Sequence, residues 1–113
     1  DSIGKKIKVC TEVAQALNLT NVTTEWTRAE NIGEKYHFVV SRAVMPLADL
    51  VKIIRKNIAK EQLNALPNGL ICLKGGELAH ETLPMKNHTL ITPLSDYFEE
   101  EFFETKSVVY TSL

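Results

Sequence analysis

Among 113 residues, a handful combine reactive side chains with neighbours that leave room around them. Arg42 lies between Ser41 and Ala43 at the end of an apolar run. A planar guanidinium with small flanking residues suits two-point binding of a carboxylate or phosphate; a surface salt bridge is the alternative use. Lys74 precedes Gly75 and Gly76, which have no side chains to hold a ligand's backbone away from the ammonium. A solvated lysine in a turn would look the same. Asp1 and Ser2 stand before a helix-like stretch. Asp1 is therefore either a carboxylate that accepts paired sugar hydroxyls or an acid facing the positive end of a helix dipole. Arg28-Ala29-Glu30 offers a cation, an accessible backbone and a carboxylate, or simply a helix-start turn with a surface glutamate. Lys5, Lys6, Lys8 and Arg28 could contact phosphates, although a solvated face is the plainer reading of each.

Other chemistries find less support. Two cysteines and the three histidines His37, His80 and His88 show no metal-ligand spacing. Cys10 and Cys72 have apolar neighbours and are expected to be buried free thiols, which suits a reducing compartment. With 44% hydrophobic and 24% charged residues the composition is that of an ordinary globular protein, one domain at most. That length is small for a complete two-layer α/β enzyme. A net charge of −1 means that any nucleic-acid contact must rest on local patches. No apolar run approaches the roughly 20 residues that span a bilayer, and no signal peptide opens the chain. Asn-x-Thr triplets at Asn18, Asn21 and Asn87 would matter only in a secreted protein and are read as chance. The first residues are Asp-Ser and not Met, as expected of a processed product or a fragment.

The elements that must position these residues follow from periodicity. Residues 2–18 read as an amphipathic helix capped by Ser2, with Ile3, Ile7, Cys10, Val13, Ala14 and Leu17 at helical spacing. Residues 20–26, rich in Thr and Val, suit a strand, and Thr27 is placed to cap a brief turn through 28–30. Residues 36–41 form a β-branched and aromatic run expected to be a buried strand. A second long helix is expected from Pro46, with Leu47, Leu50, Val51, Ile54, Ile58 and Leu63 on one face. Pro67-Asn68-Gly69 closes it as a turn. Residues 70–73 are nearly all apolar, as in a strand covered on both faces, and a short polar stretch follows. Residues 89–94 and 106–110 read as strands able to pair antiparallel, joined through an acidic stretch at 95–101. Alternating strands and helices predict an α/β fold, a mostly parallel sheet with helices on both faces and an antiparallel C-terminal strand pair.

Four short segments occur in order at or near expected strand ends. Asp1-Ser2-Ile3-Gly4-Lys5-Lys6 resembles DS-x-G-K-R/K, Arg28-Ala29-Glu30 resembles R-x-E, Ser41-Arg42-Ala43 matches SRA, and Leu73-Lys74-Gly75 matches LKG. Through these the chain resembles the C-terminal part of the RsmG (GidB) family of bacterial 16S ribosomal RNA guanine-N7 methyltransferases. The resemblance implies a partial Rossmann-like class I methyltransferase using S-adenosyl-L-methionine (SAM). Residues 1–113 would be the C-terminal portion of a single domain lacking the first strand and Gly-rich loop. It implies Asp1 and Ser2 at the cofactor ribose and Ala29 and Glu30 at the adenine. Arg42 would be the catalytic-site cation, on the SAM carboxylate or an RNA phosphate, with Lys74 and Arg28 on the substrate side. No metal is implied. The partners would be 16S ribosomal RNA or the 30S subunit, in the cytoplasm and away from membranes.

Guanine N7 carries a lone pair and no proton, so alignment and electrostatics, not a general base, are expected to carry the reaction. The fourth family strand ends here in Ser41-Arg42-Ala43 and not in the Asp/Asn-Pro-Pro-aromatic motif of amino-group methyltransferases. No stacking aromatics stand out beside a basic groove, so RNA specificity is not derivable from the sequence. The isolated chain is expected to bind SAM weakly or not at all and to be inactive. Unpaired apolar edges at Phe38, Val39 and Val40 would favour self-association. The rivals are a methyltransferase of other specificity, a nicotinamide-dependent oxidoreductase and a non-catalytic interaction module.

Overall fold

A computed structural model describes residues 1–42 and 45–113; Ala43, expected to flank Arg42, lies outside the described residues. The chain divides into two compact units, Asp1–Gly33 and Glu34–Leu113.

In the first unit, α1 spans Gly4–Ala16. Its start is fixed by Asp1 and not, as expected, by Ser2. The Asp1 Oδ1 accepts the Ile3 amide at 2.8 Å, and Ile3 is the extended cap residue. The helix ends where Asn18 adopts a left-handed φ of 55° and the Leu19 amide returns to the Ala14 carbonyl at 2.9 Å. Asparagine is one of the few side-chain-bearing residues that tolerate this conformation. Residues 20–26 do not form the expected strand. They run back past α1 through a Thr11–Thr24 hydroxyl contact of 2.9 Å and a Trp26 indole bond to the Ser2 carbonyl at 3.0 Å. Asp1 donates its amine to Glu25 O at 3.2 Å and accepts the Thr27 amide at 3.0 Å. The expected turn exists as a 3₁₀ turn at Ala29–Asn31, with Arg28 and not Thr27 at its cap. No residue of this unit is buried, and Cys10, expected inside, is exposed.

The second unit contains β1 (Phe38–Arg42), α2 (Leu47–Ile54), β2 (Gly69–Gly75), α3 (Ala79–Thr82), β3 (Thr89–Pro93) and β4 (Lys106–Ser112). The sheet order is β1-β2-β4-β3. β1 and β2 are parallel, with Arg42 opposite Leu73, while β4 runs antiparallel between β2 and β3. The fold is thus α/β with a mixed sheet, and among the described residues the expected parallel character appears in the β1–β2 pairing and in an isolated Tyr36–Ile58 bridge. β3 and β4 form the expected antiparallel pair.

α2 presents Leu47, Leu50, Val51 and Ile54 to a core completed by Ile58, Leu70, Cys72, Leu78 and Val109. The spacing i, i+3, i+4, i+7 places those four on one face. Each such side chain contributes roughly 1.5–3 kcal/mol by leaving water. The helix stops at Ile54 and does not continue to Leu63, which is exposed. A 3₁₀ turn at Arg55–Asn57 redirects the chain. The Asn57 side chain donates to Glu34 O at 2.8 Å, the Tyr36 amide to Asn57 O at 2.6 Å, and the Ala59 amide to Tyr36 O at 2.8 Å. Tertiary pairing with Tyr36 outweighs the helical periodicity. At the start of β2, a Cβ on Gly69 would collide with the Thr111 carbonyl oxygen, so the β2–β4 approach requires glycine there.

Candidate functional site

Parallel strands in α/β sheets bind ligands beyond their carboxyl ends. Here those ends belong to β1, which finishes at Arg42, and β2, which finishes at Lys74-Gly75. An open groove of about 400 Å³ lies at this edge. Arg42, Leu73, Lys74, Leu94, Phe102, Phe103 and Lys106 line it, with Gly75 in its wall. Arg42 itself is exposed.

Lys74 differs from the free substrate-side cation expected of it. It is buried, and its Nζ donates to Met45 O at 2.8 Å and meets Glu81 Oε1 at 2.8 Å. The same Glu81 oxygen accepts the Leu47 amide at 2.9 Å, at the first residue of α2. A carboxylate at a helix start satisfies an orphan amide and answers the dipole. Lys74 balances that charge. The three groups tie β2, α2 and α3 together beneath the groove. Cys72, one turn of the pleat away and buried, feels the same pair. Burial pushes its thiol up, the Lys74 ammonium pulls it down, and the Glu81 carboxylate raises it again, for a net rise.

The groove's other wall was not legible as a site. Residues 101–105 form a 3₁₀ turn that brings Phe102 and Phe103 beside the strand ends, edge to face with centroids 5.2 Å apart. Phe98 packs on Phe103 at 4.7 Å. Lys106, opening β4, places its ammonium 5.1 Å from the Phe102 centroid. Aromatic rings beside cations, which the sequence does not display, are therefore present at the groove. The available signal was the apolar pair Phe102-Phe103 set in an acidic stretch and followed by a lysine. Gly75 also acquires a different role. A Cβ there would stand 3.0 Å from Lys106 Nζ, so the room it leaves is used by this lysine.

In the first unit the Thr27 amide bond to Asp1 O brings Asp1-Ser2 next to the Arg28-Ala29-Glu30 segment. Asp1, Arg28, Ala29 and Glu30 are exposed, as is Ser2, whose carbonyl holds Trp26. Among the described residues no cluster of three or more His, Cys, Asp or Glu could hold a metal, and no helix is long and apolar enough to cross a membrane.

Residues 1–106 match the GidB family, rRNA small subunit methyltransferase G, and the chain belongs to that family. It is 66% identical over 113 residues to ribosomal RNA small subunit methyltransferase G of Bacteroides thetaiotaomicron, covering all of this chain and 55% of the relative. The protein of the same name from Parabacteroides distasonis is also 66% identical, with 49% of it covered. That from Porphyromonas gingivalis is 62% identical over 114 residues, with 52% covered. The chain spans about half the length of the curated relatives it matches.

Proposed function

We propose that this chain is the cofactor- and substrate-contacting portion of a SAM-dependent methyltransferase that modifies guanine N7 in 16S ribosomal RNA in the cytoplasm. The observation that carries the reading is Arg42, an exposed guanidinium at the end of β1, opening onto the groove beyond the two parallel strands. Family membership supplies the reaction class.

The residues fit the cofactor. Asp1 is exposed and spends one acceptor position, at Oδ1, on the Ile3 amide, which leaves capacity for two ribose hydroxyls. Ser2 adjoins it. The Ala29–Asn31 turn presents backbone at Ala29 for an adenine edge, with Glu30 ordering the loop. When bound, SAM supplies an electrophilic methyl group on a sulfonium. Arg42 holds an anion, either the cofactor carboxylate or an RNA phosphate, in two-point contact. Arg28 contributes substrate-side charge, and Lys74 acts there by fixing the groove floor. Guanine N7 has no proton to lose, so orientation and fixed charge do the work.

Arg42→Ala in the full protein tests this. Methyl transfer to 30S subunits lacking the N7 mark should fall on the order of 100-fold, the scale of lost positioning. Near-normal transfer would remove Arg42 from the site.

A further inference from the structure

We infer that the groove is a nucleotide subsite in which Phe102 stacks a base of the RNA substrate and Lys106 holds that nucleotide's phosphate. This rests on the RNA-methyltransferase reading above and adds to it residues outside the four motif segments.

Three observations converge. Phe102 is 68% exposed, a large apolar ring left in water beside a concave surface. Such a ring is well suited to base stacking, and stacking tolerates any base because every base has a π-face. The Lys106 ammonium lies over the Phe102 ring, 5.1 Å from its centroid, so a cation adjoins a ring that is still mostly exposed. Arg42 adds a second cation to the lining. The third observation is the charge balance. Glu99, Glu100, Glu101 and Glu104 surround the aromatic pair in sequence, yet none of the described residues lining the groove is acidic. Lys74, the remaining cation of the lining, is neutralised by Glu81, which leaves Arg42 and Lys106 to face an anion. Inside the groove a phosphate meets cations and no carboxylate of the described lining.

Guanosine 5′-monophosphate is the probe, titrated into the full protein and followed by calorimetry, with guanosine as the uncharged control. Phe102→Leu should weaken binding of both about tenfold, while Phe102→Tyr retains it. Lys106→Gln should weaken only the monophosphate, erasing its advantage over guanosine. SAM affinity should be unchanged in all three variants. Because Phe102 is exposed, unfolding is not expected, and unchanged circular dichroism verifies it. Equal affinity of wild type and Phe102→Leu for the monophosphate overturns the stacking role. A persisting monophosphate preference in Lys106→Gln overturns the phosphate role, as does failure of the wild type to bind the monophosphate at millimolar concentration. Methylation of unmarked 30S subunits by the same wild-type preparation is read separately. Its absence would sink the methyltransferase reading without touching the nucleotide titration.

Discussion

Asp1–Gly33 contains no buried residue, whereas Glu34–Leu113 buries Leu47, Leu70, Cys72 and Val109 to 1% exposure or less. Both units carry residues matched to the same family motifs, but they secure them differently. Asp1 and the 28–30 segment are held by short-range polar bonds among exposed groups, each worth about 1 kcal/mol or less. Lys74 extends from β2, whose Leu70 and Cys72 are core residues, and Arg42 from β1, whose Val39 packs against that core. The lesson is that motif order reports chemistry, while rigidity depends on what lies behind each motif.

The comparison can be attacked at its strongest point first. Leu70→Ala should cost the second unit about 4 kcal/mol, the upper range for a fully buried leucine, read from the urea transition of the sheet. A loss under about 1 kcal/mol would deny that unit its rigid core. Lys74→Ala strands the Glu81 carboxylate and should cost about 3 kcal/mol in the same measurement. Pairing it with Glu81→Ala should restore part of the loss; full additivity would dissolve the proposed lock. The smallest effect is chemical. Maleimide should modify Cys10 on the exposed helix and spare Cys72 until the second unit opens. Because burial raises the Cys72 pKa, its thiolate stays scarce until pH climbs past that raised value, so increasing pH should not equalise the two sites below it. Equal labelling of the folded protein would erase the contrast between the units.

Much of the second unit was legible because its strands are apolar and β-branched. Residues 70–73 and 106–110 lie inside β2 and β4, and residues 89–94 overlap β3. The length of α2 was not. Its stripe continues on paper to Leu63, but Asn57 and Ile58 serve a bridge to Tyr36, and nothing local announces that partner. Residues 20–26 have strand composition, yet Thr24 and Trp26 hold them through side-chain contacts and not through a strand ladder. At the groove, the position of Arg42 at a strand end was legible from Ser41-Arg42-Ala43. The engagement of Lys74 was not, because Met45 and Glu81 are its neighbours only in three dimensions. Phe102 and Phe103 were hidden for the opposite reason: the acids around them make the stretch read as a solvated connection.

The two glycines of β2 are not equivalent. A methyl at position 69 meets main chain, which cannot move without opening the sheet. One at position 75 meets the flexible Lys106 side chain at 3.0 Å and lies in ordinary contact with the Thr105 carbonyl at 3.5 Å. A lineage could therefore enlarge residue 75, turn Lys106 aside and retune the groove's affinity for anions while every strand pairing stays as it is. The end of β2 is a place where specificity can drift with little penalty to folding.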